Sequence, residues 1–305
     1  MRVIFFGTPV FALPTLKSLL RSEHEILGVI TQPDKRKGRS SVPVAPPVKV
    51  LALEKSIQVY QPRTIKDPSF MKQLSQQNPD VIVVIAYGKI LPPSILHLPS
   101  YGCINVHASL LPRYRGAAPI QWALINGEQT TGMTTMLMDE GLDTGPVLLQ
   151  KETEIMNDDT FETVSRRLSE MGAVLLMETL KGLNDRSLKP VPQKGTPSLA
   201  PPLRKEDGKL DWTKTAREIF HFVRGMYPWP AAYCYLNNER IKIIKVKALE
   251  GTGLAGRIEK AEREIIVGTG DGFISIVELQ PEGKKRMTAA SFLAGRHIQA
   301  GSFFQ

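Results

Sequence analysis

A chain of 305 residues exceeds the size at which a single hydrophobic core keeps growing, so two domains are expected. Hydrophobic residues make up 42% and charged residues 23%, the balance of a soluble globular protein, and no apolar run is long enough to cross a bilayer, so no membrane association is expected. Cys103 and Cys234 are too few and too far apart for a disulfide framework or a thiolate metal cluster, and a reducing, cytoplasmic setting fits.

The first part alternates strand and helix periods. RVIFFG (2–7) is a short apolar run closed by glycine; it reads as a first strand, since no small-residue cleavage site of a secretory leader follows it. TLKSLLRSEH (15–24) sets Leu16, Leu19 and Leu20 on one helical face, EILGVIT (25–31) is apolar again, and PVKVLALEKS (47–56) is amphipathic. DVIVVIAYG (80–88) is continuously apolar and β-branched. Such strands alternating with helices predict an α/β domain with a doubly wound, Rossmann-like sheet over residues 1–189, whose ligands bind outside the C-terminal strand ends.

Five prolines between 190 and 202 leave no room for a helix or a central strand, so 190–206 is expected to be a partly extended linker. Beyond it, AAYCYLN, RIKIIKVKAL, GRIEKA, REIIVGT and GFISIVELQ are short strands separated by turn residues, which predicts a small antiparallel, OB-like β-barrel over 207–305. In RIKIIKVK the phase of the charged residues shifts across Ile243 and Ile244, as a bulge would require. The net charge of +9 is uneven: residues 1–189 carry 21 Lys and Arg against 18 Asp and Glu, and residues 190–305 carry 18 against 12. The basic excess of the later part suits a polyanionic partner such as nucleic acid, or a merely solubilising surface.

Phosphate-binding loops are not evident. GTGLAG (251–256) matches a dinucleotide fingerprint in letters, but it lies among strands with no helix to follow, so it reads as a turn. His24, His97, His221 and His297 have no neighbour at metal-ligand spacing, Met133, Met136 and Met138 read as core filler, and no metal is expected. The stretch INVHASLLPRYRGAAP (104–119) differs. Residues two apart in a strand face the same way, so Asn105, His107 and Ser109 present an amide, an imidazole and a hydroxyl along one side. From these residues alone the set is either a buried hydrogen-bonding network or a reactive site. Downstream, TTMLMDEGLDTGP (134–146) is a strand leading into a tight turn at Asp143, whose carboxylate either caps its own turn or orients the imidazole and takes a proton.

At these residues the chain resembles the folate-dependent formyltransferases. The motif N-x-H-x-S-L-L-P-R-Y-R-G-A-A-P-I followed by D-x-G-x-D-T-G carries the resemblance, in the form typical of members that act on a charged initiator tRNA. FFGTPVFALP, TQPDKRKGR, AYGKILP, YPWPAAY and LQPEGKKRM extend it over essentially the whole chain. The resemblance implies transfer of a formyl group from 10-formyltetrahydrofolate to the α-amino group of methionyl initiator tRNA. Asn105, His107 and Asp143 would then be catalytic: Asn105 donates to the developing oxyanion, His107 donates or moves a proton, and Asp143 fixes the imidazole and helps deprotonate the ammonium. It also implies that Ser109, Leu110, Leu111 and Pro112 line the folate site, that Ala86, Tyr87 and Gly88 form part of a pteridine pocket, and that no metal is needed. A basic loop containing Lys35, Arg36, Lys37 and Arg39 would meet the tRNA acceptor stem. Ser40, Ser41 and Val42 depart from the family pattern after Arg39, and Pro202 stands where lysine is common, which leaves Arg204 and Lys205 as basic candidates in the linker. Formyl transfer to glycinamide ribonucleotide or an amino sugar, hydrolysis of formylfolate, and a non-catalytic RNA-binding protein are the competing readings. With no coiled-coil or swapping segment in view, a monomer is expected.

Overall fold

The computed structural model describes residues 1–36, 42–296 and 298–305. After Arg2 the first strand, Arg2–Gly7 (β1), has no polar residue to turn toward solvent, and five of its six residues are buried. Strands Glu25–Ile30 (β2), Val59–Tyr60 (β3), Val81–Ile85 (β4), Cys103–His107 (β5), Thr130–Leu137 (β6) and Val147–Glu154 (β7) join it in the order β7-β6-β5-β4-β1-β2-β3. From β3 to β5 every pairing is parallel, as their unbroken apolar runs predict. The other end differs from a purely parallel sheet: β6 runs antiparallel to β5, and β7 antiparallel to β6.

Helices Leu13–Leu20 (α1), Pro47–Glu54 (α2), Pro68–Gln76 (α3) and Pro93–Leu96 (α4) each have proline in the first turn, where its fixed φ suits the helix and its missing N–H costs nothing. Asp67 caps α3 by accepting from the Ser69 and Phe70 amides. On one face of the sheet Phe70 and Leu74 of α3 and Ile95 of α4 pack with Ile4, Phe6, Ile82 and Val84. The switch point lies between β1 and β4, which are neighbours in space but far apart in sequence.

By contacts the chain divides into two compact units. The first comprises residues 1–119, 130–154 and 165–201; the second comprises 120–129, 155–164 and 202–305. This differs from the division expected from sequence. Residues 190–201 belong to the first unit, and two short segments from within residues 1–189 belong to the second. Within the second unit, helix Ala216–Met226 (α6) begins with a capping box in which Thr215 and Glu218 serve each other's backbones. Its Gly225 comes so close to the helix Pro119–Ile125 (α5) that a Cβ there would sit 2.7 Å from the Ile125 side chain and 3.0 Å from the Gln121 carbonyl. Arg224 Nη1 donates to the Met156 carbonyl at 2.9 Å, and these contacts account for the assignment of both borrowed segments.

The second sheet contains the strands expected, Ala232–Leu236 (β8), Glu239–Leu249 (β9), Ile258–Ala261 (β10), Ile265–Gly268 (β11) and Phe273–Pro281 (β12), in the order β8-β9-β12-β11-β10. Met287–Thr288 (β13) pairs with Glu278 and Leu279 on β12, beyond the point where β11 stops. The register of β9 against β12 shifts between Ile243 and Val246, the bulge that the charge phase predicted. GTGLAG is a turn, with the Phe273 ring lying against Gly251 and Gly253.

Closure of the barrel comes from a segment that carries no strand pattern. Gly301 N donates to Ile258 O at 2.7 Å and Ile258 N to Ser302 O at 2.8 Å, while Tyr235 and Gln305 exchange both backbone bonds at 2.7 and 2.9 Å. Residues 301–305 therefore bridge the edge strands β10 and β8 and cover backbone groups that would otherwise be open to pairing with another chain. Phe304 anchors this strap: it is buried and stacked on Trp212, with ring centroids 5.8 Å apart. Phe304→Leu keeps most of the volume but loses the stacked ring, so it is expected to destabilise the second unit by about 1 kcal/mol. The urea midpoint followed by Trp fluorescence checks this, and an unchanged midpoint refutes the anchoring role.

Candidate active site

Asn105 and His107 lie two apart on β5 and share a face. Val84 of β4 pairs with Asn105, so the amide stands beside the strand that ends in the 86–88 loop. Asp143 reaches them from the other side. Because β6 is antiparallel to β5, its end at Leu137 lies level with Ile104, and the loop from Met138 to Pro146 returns the carboxylate toward β5. Asp143 Oδ1 accepts from Asn105 Nδ2 at 3.1 Å, Oδ2 accepts from the Gly116 amide at 2.9 Å, and Oδ2 lies 3.7 Å from His107 Nδ1. A carboxylate whose side chain is only 13% exposed needs such partners, since an unpaired buried charge costs several kcal/mol.

His107 is buried, and its Nε2 lies 3.0 Å from the Tyr114 carbonyl oxygen. A carbonyl can only accept, so Nε2 carries a proton and donates it. In the neutral ring Nδ1 then bears the lone pair, and it is Nδ1 that faces Asp143. The imidazole that Asp143 was expected to orient is thus held by the Tyr114 carbonyl as well. Tyr114 O holds the imidazole, while Asp143 forms an ion pair with Nδ1 once that nitrogen is protonated.

The sequence around Asp143 is shaped by its turn. Asp139 makes the local turn, accepting from Gly141 N at 3.1 Å and Thr144 Oγ1 at 2.7 Å, which leaves Asp143 free to point inward. Asp143 itself has φ +52°. A Cβ on Gly145 would lie 1.8 Å from the Leu137 carbonyl oxygen, so no larger residue fits there without moving backbone.

The expected folate residues are partly redistributed. Strand β5 ends at His107, and Ser109 does not present its hydroxyl beside the amide and imidazole: it is buried and donates to Arg113 O at 2.6 Å. Leu110 lies over Gly132, where a Cβ would come within 2.6 Å of its Cδ2. Leu111 is buried, its amide donating to Thr134 Oγ1 at 3.2 Å, and Pro112 O accepts from Ser198 N at 3.2 Å. The Ser109–Pro112 segment is thus a tightly bonded turn. The Tyr87 ring points into the core, edge-on to Phe6 at 5.0 Å, where burial pushes its phenol up to about 12. Only its backbone faces the loop, with its carbonyl accepting from Gln32 Nε2 at 3.0 Å. Ala86 is exposed with φ +48°, and around Gly88, at φ +81°, a Cβ would meet nothing within 4 Å.

Of the basic residues, Lys35 and Arg36 are exposed on a two-residue strand paired with Pro43–Val44, and Arg204 and Lys205 are exposed. Lys37 and Arg39 lie outside the described residues. The base of the basic loop is fastened by Asp34, which accepts from Lys49 Nζ at 2.9 Å and Gln61 Nε2 at 2.8 Å. These bonds hold its carboxyl below the usual carboxylate range.

Three contributors were not read from the sequence. Tyr114 O and Gly116 N act through backbone atoms, although both residues lie inside the RYRG motif. The third is the stretch after Lys189: Leu199–Ala200 pairs with Arg115–Gly116, Ser198 Oγ accepts from Tyr114 N at 2.9 Å, and Gln193 reaches the Asp143 loop. Among the described residues no group of three His, Cys, Asp or Glu side chains is placed to hold a metal ion.

Fold and site together define a Rossmann-like transferase domain joined to an antiparallel barrel. The chain belongs to the formyl transferase family: the family's N-terminal model, described as Formyl transferase, matches residues 1–180, and the model for the Formyl transferase C-terminal domain matches residues 202–297. Among curated relatives, the methionyl-tRNA formyltransferase of Thermodesulfovibrio yellowstonii is 54% identical over 299 residues, covering 98% of this chain and 97% of that protein. That of Pelotomaculum thermopropionicum is 50% identical over 305 residues, covering 99% and 97%. Among solved structures, the sugar 3N-formyl transferase WlaRD, in the presence of dTDP and 5-N-formyl-THF, aligns with a TM-score of 0.68 at 21% identity over 93% of this chain and 99% of its own. HypX from Aquifex aeolicus in complex with tetrahydrofolic acid aligns with a TM-score of 0.65 at 17% identity, over 96% of this chain and 47% of its own. The two solved structures share the fold.

Proposed function

We propose that this chain transfers the formyl group of 10-formyltetrahydrofolate to the α-amino group of methionine carried by initiator tRNA. The observation that carries this reading is the meeting of Asn105, His107 and Asp143 at one point, in a chain 54% identical over nearly its full length to a methionyl-tRNA formyltransferase. Relatives at this identity favour charged tRNA over an amino sugar as acceptor, because the sugar-formylating neighbour at 21% identity shares the fold alone.

The α-amine attacks the formyl carbon, negative charge gathers on the formyl oxygen, and the carbon–N10 bond breaks. Asn105 has two N–H bonds; one goes to Asp143, and the other donates to the oxygen as charge develops. His107 Nδ1 holds the lone pair, takes the proton that the attacking nitrogen must lose, and becomes a cation beside Asp143. The same proton is then available to N10 as it leaves. The open space around Gly88 and the bonded Ser109–Pro112 turn supply room and rigid walls for a flat ring. The protein acts as a cytoplasmic monomer; no described helix is long and apolar enough to cross a membrane.

Incubation with formyltetrahydrofolate and, separately, methionyl initiator tRNA, uncharged tRNA, glycinamide ribonucleotide or an amino sugar decides the acceptor. Formyl is expected on the charged tRNA, and transfer to a small amine alone refutes the reading. Lys35 and Arg36 meet tRNA phosphates, as do Arg204 and Lys205. Lys35→Ala with Arg36→Ala should raise KM for charged tRNA about 10-fold and flatten its salt dependence by one to two counterions, roughly one per lost contact. kcat and KM for the formyl donor should stay within about 2-fold. An unchanged salt slope would show that these cations meet no phosphate.

A further inference from the structure

We infer that Gln193, in the proline-rich stretch after Lys189, is a positioning residue for the catalytic carboxylate; this deepens the reading above and rests on it for the meaning of a lost rate. Between Lys189 and Pro197 Gln193 alone is drawn in from solvent, its neighbours all being exposed. Its side-chain amide is used at both ends. Nε2 donates to Asp143 O and to Gly145 O, each at 2.8 Å, and Oε1 accepts from Arg115 Nε at 3.1 Å and Arg115 Nη2 at 2.7 Å. Carbonyl oxygens only accept and a guanidinium only donates, so the amide has one orientation that satisfies both.

The clamp is set on a fixed base. Val191 and Val147 exchange backbone bonds, both 2.8 Å, which fastens the residue two before Gln193 to the residue two after Gly145. Pro190 and Pro192 on either side of Val191 restrict the backbone before the clamp forms. The far end is fixed as well, because Arg115 precedes Gly116, whose amide holds Asp143 Oδ2. One glutamine therefore connects the two pieces of backbone that decide where the carboxylate stands: the turn that carries Asp143 and the strand that donates to it. Asp143 sits at φ +52°, a conformation that an unsupported aspartate leaves readily. Among the described residues no hydrogen bond joins Gln193 to the side chains of Asn105, His107 or Asp143, so its effect passes through the Asp143 backbone.

Gln193→Glu is the sharpest test. It is nearly isosteric and keeps a partner for Arg115, but it turns an oxygen toward the two carbonyl oxygens and releases the turn. The expected result is a fall in kcat of about 10- to 100-fold, the range that a misplacement of about 1 Å produces, with KM for both substrates within about 2-fold. Placed on Asp143→Asn, the same substitution should cost less than about 2-fold in single-turnover rate, because a residue that acts through the Asp143 carboxylate has nothing left to position. Hydrogen exchange of the 139–146 backbone reads the clamp without any substrate and should quicken in Gln193→Glu and Gln193→Leu while β4 and β5 keep their protection. An inactive wild type would refute the proposed reaction and leave the exchange experiment decisive for the clamp. Unchanged exchange in 139–146, an unchanged kcat, or full additivity with Asp143→Asn overturns the positioning role.

Discussion

Alanine in place of His107 is expected to lower the single-turnover rate of formyl transfer by about 10²- to 10⁴-fold, the range of a lost general acid–base, and Asn105→Ala by about 10²- to 10³-fold, the loss of one oxyanion donor. Neither side chain is placed to carry affinity for the tRNA backbone, so binding of uncharged tRNA should change by less than about 2-fold. The two variants also differ in how they fail. Losing His107 removes the Nδ1 proton acceptor and the Nε2–H that donates to Tyr114 O, whereas losing Asn105 removes one of the two hydrogen bonds that the Asp143 carboxylate accepts. Asn105→Asp keeps the shape but sets a second carboxylate against Asp143, so it should be no better than alanine. Rapid-quench measurement of formyl-methionyl-tRNA checks all three. Retention of the full rate by the His107 or Asn105 alanine variant would refute the mechanism.

Gly116→Ala is expected to lower kcat by about 10²-fold and to cost about 1–3 kcal/mol of stability in the first unit. Gly116 has φ +122°, a conformation that side chains rarely adopt, and an added Cβ would lie 2.7 Å from the Ala200 carbonyl oxygen. Either the residue rotates, turning its N–H away from Asp143 Oδ2, or the Leu199–Ala200 strand withdraws from Arg115–Gly116. The first loses a donor to a carboxylate only 13% exposed, and the second unseats the stretch that carries Gln193. Steady-state kinetics together with a thermal melt check the pair of effects. Wild-type kcat in Gly116→Ala would show that the Gly116 amide does not hold the carboxylate during the reaction.

Much of this architecture was legible in the residues because apolar periodicity reports which faces are buried. The runs at 2–7, 25–31 and 80–88 became β1, β2 and β4, and the phase slip across Ile243 and Ile244 became a bulge. Strand direction was not legible: nothing in TTGMTTML says that it runs against its neighbour, and that reversal sets the side from which Asp143 arrives. The three side chains proposed to carry the chemistry could be singled out because their identities are chemically specific, and the structure brings them within reach of one another. Tyr114 O and Gly116 N escaped notice because every residue owns a carbonyl and nearly every residue an amide, so their use leaves no mark in the letters. Proline density correctly excluded helix and central strand from 190–202, but it says equally little for or against a stretch being seated on a neighbour. The 301–305 strap was hidden for a related reason, since single backbone bridges need no alternating pattern.

The seating of residues 190–201 bears on where such a chain can be cut and rejoined. A chimera that exchanges the two halves at Lys189, where regular helix has ended and composition turns to proline, would transplant the His107 imidazole without the buttress behind the Asp143 carboxylate. The workable crossover point lies after Pro201, some dozen residues later, and fragments made on either side of that line should differ in turnover far more than in folding.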